Sequence, residues 1–268
     1  MKINELNKLF REAFSKSVEN FKPNYYVTKA EKTKEGIDTR IVTFSDEHTR
    51  IAEQYKVLRT NLYTLSSSTE TPLKTFLITS SVAGEGKGIS ASNIAYCISL
   101  EKEKRVLLLD ADLRKPTIHQ LFGLPRSPGF SDFLTDNIDI DYLLKRPAIE
   151  NLYVITTGGS IRNPTETLNK TKLSDLFNKI KTKFDYIIID SPPVINVTDT
   201  LILAPLCDAV ILIVKADSTP RKFVTESFDL LKNSQAKPKA CILTNVSIPI
   251  HPYYRHYYKR IYENKVGS

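Results

Sequence analysis

One segment of the sequence, residues 74–101, restricts the fold more than any other. Residues 74–79 are predicted to form a strand, and residues 87–101 to form a helix rich in Ala, Ser and Ile. The loop SSVAGEGKG joins them at residues 80–88. In this order of strand, glycine loop and helix, backbone N–H groups and the helix N-terminus can face phosphate groups. The segment predicts a phosphate-binding loop, and its flanking elements argue against a plain glycine turn.

The loop residues are predicted to surround the phosphates of a nucleotide. Gly84 and Gly86 allow a close approach of the backbone, and Lys87 brings a positive charge to the terminal phosphates. The usual loop has Ser or Thr after the lysine to bind Mg²⁺, whereas this chain has Gly88. Water could take that ligand position, because bound Mg²⁺ keeps several waters. The predicted nucleotide contacts are Val82, Ala83, Gly84, Glu85, Gly86, Lys87, Gly88 and Ile89.

Strand-like and helical runs alternate along the rest of the chain. Strands are predicted at residues 105–110, 152–156, 186–190, 209–214 and 240–244, and helices at residues 171–183 and 221–233. Such alternation is typical of a doubly wound α/β fold with a mostly parallel sheet and right-handed crossovers. A chain of 268 residues can bury one large core of this kind.

Acidic residues lie at the carboxyl ends of two of the predicted strands. VLLLDADLRKP at residues 106–116 contains Asp110 and Asp112, and YIIIDSPP at residues 186–193 contains Asp190. Because α/β sheets bind ligands at the carboxyl ends of their strands, these carboxylates are predicted beside the phosphate loop. There they could hold Mg²⁺ and accept the proton of an attacking hydroxyl. A strand-end aspartate often only caps a turn or helix, but three beside a phosphate loop favour the metal interpretation.

The two ends of the chain differ from this central part. Residues 3–21 have the apolar spacing of an amphipathic helix, and their mixed charges favour a packing helix over a membrane-surface helix. A second amphipathic helix is predicted between Ile51 and Leu65. Residues 1–45 are therefore expected to lead into or pack on a domain at residues 46–250. Residues 251–268 are expected to form a flexible tail with five of the thirteen tyrosines, namely Tyr253, Tyr254, Tyr257, Tyr258 and Tyr262.

Composition and hydropathy limit the partners, the redox compartment and the kind of membrane attachment that we expect. The net charge of +8 favours anionic partners without choosing between nucleotides, acidic lipids and nucleic acids. Three widely spaced cysteines argue against disulfides and structural zinc, and fit a reducing cytoplasm. No apolar run approaches the roughly 20 residues that cross a bilayer, and no secretory signal pattern opens the chain. Any membrane attachment is therefore expected to be indirect or to lie outside this chain.

Together these motifs resemble the cytoplasmic kinase domain of the bacterial tyrosine kinases of the capsule and exopolysaccharide co-polymerase family. The phosphate loop corresponds to Walker A, LLLDADLRKP to Walker A′ and IIIDSPPV to Walker B. FSDFL at residues 130–134, NPTE at 163–166 and VTDTLILA at 197–204 support the match, which runs from about residue 45 to the end. The resemblance implies a P-loop NTPase fold similar to MinD and ParA, and a protein-tyrosine kinase that uses ATP and Mg²⁺.

The resemblance also implies roles for single residues. Lys87 would stabilise the phosphates, and Asp110 and Asp112 would serve the Mg²⁺ site and tyrosine activation. Asp190 would support Mg²⁺, and Asn245 would contact adenine, although a strand-end asparagine is often a turn former. The tail tyrosines would be autophosphorylation sites.

The segment EQYKVLR at residues 53–59 is similar to the E-x-x-R-x-x-R subunit-contact motif of that family. Glu53, Lys56 and Arg59 share one helical face, with Lys56 in place of the first arginine. A solvated charged face is the alternative. The resemblance implies a ring-forming homo-oligomer that phosphorylates its tails in trans and regulates polysaccharide polymerisation and export. It also implies a membrane-embedded co-polymerase or adaptor partner, a tyrosine phosphatase, and a location at the inner face of the cell membrane.

Three other functions stay open. The basic, aromatic tail could bind single-stranded nucleic acid or a membrane surface, but no nucleic-acid motif occurs elsewhere and no nucleic-acid partner is expected. A partitioning or division-site ATPase of the ParA and MinD type would have a lysine where this chain has Val82. A nucleotide-binding pseudokinase scaffold is compatible with Gly88.

Overall fold

The computed structural model describes residues 31–136 and 138–246. A single six-stranded sheet forms the centre of the molecule, and its strands all pair in parallel. In chain order the strands are β1 (Thr75–Ser80), β2 (Val106–Asp110), β3 (Leu152–Ile155), β4 (Tyr186–Asp190), β5 (Ala209–Lys215) and β6 (Pro238–Thr244). Their spatial order is β3-β2-β4-β1-β5-β6. This order places β4 between β1 and β2, so the two acidic strands are neighbours beside the loop strand.

Helices connect the strands and cover both faces of the sheet. The longer ones are α2 (Arg50–Ser67), α3 (Lys87–Ser99), α8 (Lys170–Lys183) and α10 (Arg221–Asn233). The shorter ones are α1 (Val42–Ser45), α4 (Ile118–Leu121), α5 (Phe130–Asp136), α6 (Ile140–Leu143), α7 (Pro164–Thr167) and α9 (Asp199–Leu203), the last followed by a 3₁₀ turn at Ala204–Leu206.

The strands are apolar throughout because both faces of the sheet are buried. Side chains alternate along a strand, so Leu107 and Ile189 pack into a core with α5, α8 and α9. Leu108 and Ile188 point to the opposite core, which contains α2 and α3. A parallel sheet covered on both sides reads as continuous aliphatic runs. The predicted doubly wound α/β fold is confirmed.

The boundaries of the elements differ from the sequence predictions by a few residues. Strand β6 begins at Pro238, two residues earlier than predicted, and α3 ends at Ser99 rather than at residue 101. The four-residue helices α1, α4, α6 and α7 were not predicted. Each is about one turn long, and one turn is too short for the 3.6-residue period of apolar residues to appear.

The segment before α2 packs against the sheet domain. Ile37 and Ile41 are fully buried in the same core as α3. The Thr43 hydroxyl donates to Asn93 Oδ1 at 2.9 Å, and Asn93 Nδ2 donates to the carbonyl oxygen of Arg40 at 3.1 Å. Residues 37–43 are therefore fixed to α3. The helix predicted at residues 3–21 and the five tail tyrosines lie outside the described residues.

The expectations about membrane-spanning segments and about the cysteines can be compared with the described residues. None of the helices within residues 31–136 and 138–246 has the length and apolarity needed to cross a membrane. Cys97, Cys207 and Cys241 are all free thiols. Burial raises the pKa of the Cys97 thiol to about 11, which keeps that group neutral near pH 7.

Candidate nucleotide site

The predicted phosphate loop lies between the central strand β1 and the N-terminus of α3. Gly84 and Gly86 both have φ of +87°, a left-handed backbone conformation that residues other than glycine rarely adopt. Helix α3 begins at Lys87, directly after the second of these glycines. The free N–H groups of its first turn therefore sit at the carboxyl end of the sheet. This geometry is that of an anion-binding helix N-terminus.

Glu85 ties the phosphate loop to the neighbouring strand. Its buried carboxylate accepts hydrogen bonds from the Val82 N–H at 2.8 Å, the Lys215 N–H at 3.1 Å and the Thr219 hydroxyl. Lys215 is the last residue of β5. The Glu85 side chain thus points into the protein and stabilises the loop. A direct nucleotide contact by Glu85 would have to come from its backbone.

The three predicted aspartates lie together with Lys87. Asp110 and Asp190 are paired in the register of β2 and β4. The Lys87 ammonium lies 2.6 Å from Asp112 Oδ2 and 3.5 Å from Asp190 Oδ1. All three carboxylates are buried. The structure therefore brings the predicted catalytic residues into one cluster at the start of α3.

Burial controls the charges of this cluster. It raises the pKa of Asp110, and the neighbouring Asp190 carboxylate raises that pKa further. Burial also raises the pKa of Asp190, while the Lys87 ammonium limits the rise. For Lys87, burial disfavours the ammonium form, yet Asp190 and Asp112 together hold its pKa above the ordinary value. Lys87 is therefore positively charged, and Asp110 takes up a proton more readily than an exposed aspartate does.

The hydrogen bonds of the carboxylates differ. Asp110 accepts from the N–H groups of Asp112 and Ile118, at 3.2 and 3.1 Å. Asp112 Oδ1 accepts from two N–H groups of the segment that follows, those of Arg114 and Lys115, at 3.1 and 2.9 Å. By contrast, within the described part of the chain neither oxygen of Asp190 has a hydrogen-bond partner.

The Asp190 carboxylate fits a divalent cation such as Mg²⁺. A buried carboxylate without hydrogen bonds is costly unless another group completes its environment, and oxygen atoms are the ligands that Mg²⁺ prefers. No three His, Cys, Asp or Glu side chains among the described residues form a metal site by themselves. Mg²⁺ commonly binds through one or two carboxylates together with substrate phosphates and water. The predicted metal roles of Asp110, Asp112 and Asp190 stay predictions.

The end of β6 lies against the loop. The Thr244 hydroxyl donates to the Glu85 carbonyl oxygen at 2.9 Å, so this strand end is attached to the loop backbone. Asn245 follows with φ of +57° and is exposed, which fits the turn-forming alternative for this residue. Its contact with adenine stays a prediction.

The predicted subunit-contact residues lie on α2, which packs against α3. Lys56 Nζ pairs with Glu53 Oε1 at 2.7 Å and donates to the Glu47 carbonyl oxygen at 3.0 Å. Arg59 Nη1 donates to the Cys97 carbonyl oxygen at 2.9 Å. These three side chains thus have partners within their own chain, and their role between subunits stays a prediction.

One polar network beside the aspartates was not predicted as a unit. Arg114 donates to both carboxylate oxygens of the buried Asp199, at 2.8 and 3.1 Å, and to the Thr165 hydroxyl at 3.0 Å. The Thr165 hydroxyl also donates to Asp199. The network joins LRKP, NPTE and VTDTLILA, three motifs that are far apart in the sequence. The sequence showed that the three motifs occur in one chain. Their spacing along the chain did not predict that they are in contact.

Comparisons with known proteins show which family this chain resembles. A protein family described as an AAA domain matches residues 73–239. The chain is 31% identical over 208 residues to the "Putative tyrosine-protein kinase CapB" of Staphylococcus aureus, covering 78% of this chain and 90% of that relative.

Solved structures support the same fold. The kinase domain of the Escherichia coli tyrosine kinase ETK superposes with a TM-score of 0.73 at 23% identity, covering 84% of this chain and 88% of that domain. The septum site-determining protein MinD of Pyrococcus horikoshii, complexed with Mg-ADP, gives a TM-score of 0.56 at 19% identity, covering 69% and 76%. The predicted fold and enzyme class are confirmed at the level of the family. This chain belongs to the bacterial tyrosine-protein kinases.

Proposed function

We propose that this protein transfers the γ-phosphoryl group of ATP to tyrosine hydroxyls. The observation that carries the proposal is the contact of Lys87 with Asp112 and Asp190 at the start of the phosphate loop helix. A phosphate-binding loop alone would support nucleotide binding only. The adjoining carboxylates add groups that can accept a proton and balance the charge of a cation, which phosphoryl transfer requires.

The residues of the site have separate roles in this proposal. The N–H groups of the loop and the Lys87 ammonium bind the phosphates and stabilise the negative charge of the transferring group. A tyrosine oxygen attacks the γ-phosphorus, its proton passes to Asp112 or Asp110, and ADP leaves. Burial raises the pKa of Asp110, which brings its proton affinity closer to that needed near neutral pH. Bound Mg²⁺ would neutralise phosphate oxygens, with Asp190 and the other two aspartates as its protein ligands.

The proposed substrates are the tail tyrosines of a neighbouring copy. The five tyrosines between Tyr253 and Tyr262 lie among basic residues, and each phosphate would add about −1.5 to −2 charges. Ile51 and Val57 on α2 are 48% and 53% exposed, beside the residues predicted to contact a neighbouring subunit. Large apolar side chains at the surface suit a homo-oligomeric contact. A charge change in the tail would then act on assembly.

The cellular setting is proposed from the family resemblance. The kinase would act at the inner face of the cell membrane with a membrane-embedded polysaccharide co-polymerase or adaptor, and a tyrosine phosphatase would reverse its action. Polymerisation and export of an exopolysaccharide or capsule would be the regulated process.

A second candidate, a nucleotide-binding scaffold without catalysis, is favoured by Gly88 alone. Loss of the usual hydroxyl would weaken the cation site, and the protein would then act through assembly. A MinD-like or ParA-like ATPase shares the fold but lacks support from the loop, where Val82 stands in place of the early lysine.

Intact-mass spectrometry tests the proposal directly. Purified protein is incubated with ATP and Mg²⁺ beside two variants, Lys87→Met and a variant with Phe at Tyr253, Tyr254, Tyr257, Tyr258 and Tyr262. We expect mass gains of about 80 Da per phosphate in the wild type and none in either variant. A wild type that binds ATP without any mass gain would favour the scaffold. Release of phosphate without protein modification would favour the ATPase.

A further inference from the structure

The space beside Gly88 is already filled by another hydroxyl group. A Cβ atom at residue 88 would lie 2.5 Å from Thr117 Oγ1 and 3.1 Å from Asp190 Oδ2. The first distance is shorter than real Cβ contacts. A Ser or Thr at position 88 is therefore incompatible with Thr117 in its present position. Gly88 leaves room for a hydroxyl that comes from a different part of the chain.

The Thr117 hydroxyl does not cap the helix that follows it. Thr117 precedes α4, where a threonine side chain normally accepts a hydrogen bond from the first turn, but it makes no such bond. Asp110 caps α4 instead, because its Oδ2 accepts from the Ile118 N–H at 3.1 Å. The capping by Asp110 leaves Thr117 Oγ1 directed toward residue 88.

The second observation is the state of Asp190. This side chain is fully buried, its Oδ2 lies beside the same point as Thr117 Oγ1, and neither of its oxygens has a hydrogen-bond partner within the described ranges. The Lys87 ammonium lies 3.5 Å from the other oxygen, Oδ1. A hydroxyl oxygen and a carboxylate oxygen thus face one position at the start of the loop helix. Both are oxygen ligands of the kind that Mg²⁺ prefers.

We propose that Thr117 supplies the Mg²⁺-binding hydroxyl that Ser or Thr at position 88 supplies in the usual loop. The inference rests on the Mg²⁺-nucleotide site of the proposed function and deepens it. Loss of a side-chain oxygen at position 88 is then compensated by an oxygen that reaches the same place from the segment after β2. Gly88 leaves room for the Thr117 hydroxyl, and its presence does not mean that the cation site has been lost.

Nucleotide binding measured without phosphoryl transfer tests the role of Thr117. A fluorescent ADP analogue is titrated at fixed concentration with Mg²⁺, and separately in EDTA, for the wild type, Thr117→Ala and Thr117→Ser. The last two variants both lack the threonine methyl group and differ by the hydroxyl. We expect Thr117→Ala to need about tenfold more Mg²⁺ for half-maximal binding, the scale of one polar contact to a charged group. Thr117→Ser should keep the wild-type requirement, and all three should bind equally in EDTA.

A double substitution tests whether residue 88 can supply the Mg²⁺-binding hydroxyl when residue 117 lacks it. Gly88→Ser combined with Thr117→Ala removes the clash and restores the hydroxyl at its usual position. We expect this double variant to recover the wild-type Mg²⁺ requirement, whereas Gly88→Ser alone should not improve on the wild type. Circular dichroism melting of each variant excludes loss of folding as the cause.

The outcomes separate this inference from the proposed kinase activity. An unchanged Mg²⁺ requirement in Thr117→Ala, or an equal loss in Thr117→Ser, overturns the role of Thr117 and leaves tyrosine phosphorylation to be judged by mass spectrometry. A wild type without Mg²⁺-dependent nucleotide binding overturns it as well. If Thr117→Ala and the double variant behave as expected but no phosphate is transferred, the cation site stands and the kinase proposal fails.

Discussion

Lys87 and its three aspartates form a cluster with more negative than positive charge, placed where an anionic nucleotide has to bind. The Lys87 ammonium contacts Asp112 and Asp190, and in the proposed reaction it also binds the phosphates. Buried carboxylates that lack hydrogen bonds lower the stability of the folded state. Such groups persist at functional sites because a ligand completes them. Asp190 is the clearest example, since both of its oxygens lack hydrogen-bond partners in the described chain.

Asp190→Asn should therefore stabilise the protein in the absence of Mg²⁺ and nucleotide. Burial raises the pKa of Asp190, so above the ordinary aspartate pKa of ~3.9 the folded chain binds more protons than the unfolded chain and stability falls as pH rises. The gain from the substitution should appear above that value and level off once the pH exceeds the raised pKa. We expect about 1 kcal/mol at pH 8, a Tm increase of roughly 2–4 °C.

Thermal melts in EDTA at pH 4 to 8 measure this difference. The exposed Asp175→Asn on α8 is the matched control, and its Tm should follow the wild type at every pH. The Asp190→Asn variant should also lose its mass gain with ATP. A lower Tm than the wild type at pH 8 would show that the pair with Lys87 outweighs the cost of burying the Asp190 carboxylate.

At the scale of elements, the strands and the longer helices could be predicted, but the order of the strands in the sheet could not. Continuous aliphatic runs such as VLLLD and YIIID identify buried parallel strands, and the glycine loop identifies β1. The strand order depends on contacts between distant segments, which no local pattern contains. Glu85 shows the same limit within the site. It was predicted as a nucleotide contact, but its carboxylate bonds to Lys215 and Thr219, about 130 residues away in sequence.

Glu85→Gln should loosen the loop from β5. A glutamine amide offers one acceptor oxygen where the carboxylate offers two, and its NH₂ group would face a backbone N–H of Val82 or Lys215. We expect a loss of about 1–3 kcal/mol in the free energy of unfolding, the cost of leaving a buried hydrogen-bonding group without its partner, together with weaker ADP binding. Urea unfolding measures the first effect, with an unchanged m-value as the sign of an intact fold. Glu226→Gln, at an exposed site on α10, is the control and should change neither quantity.

At the scale of the whole molecule, the main residues of the site could be predicted from the sequence, but the contributions of other segments of the chain could not. Walker motifs gave Lys87, Asp110, Asp112 and Asp190, which the structure brings together. Sequence patterns missed Thr117, because its relation to Gly88 exists only once α4 is placed against α3. They also missed that residues 37–43 are attached to α3 through Asn93. Whether the tail reaches the site of its own chain or of a neighbour is a question about assembly.

Phosphorylation of the tail should be intermolecular. The test mixes two variants that are each inactive alone, Lys87→Met with an intact tail and the variant with Phe at the five tail tyrosines. The first lacks the positive charge that stabilises the transferring phosphoryl group, and the second has a complete site but no proposed substrate. We expect mass gains of about 80 Da per phosphate only on the Lys87→Met chain, and an initial rate per chain that rises with protein concentration in the wild type.

The control is the same mixture with Lys87→Met also carrying the Phe substitutions, which should stay unmodified. A wild type that gains phosphate at a rate independent of dilution, with no transfer in the mixture, would place the reaction within one chain. Transfer in the mixture that is lost when Ile51→Ser and Val57→Ser are introduced into both chains would connect the α2 surface to the catalytic assembly, since apolar contacts at that surface are what would hold two copies together.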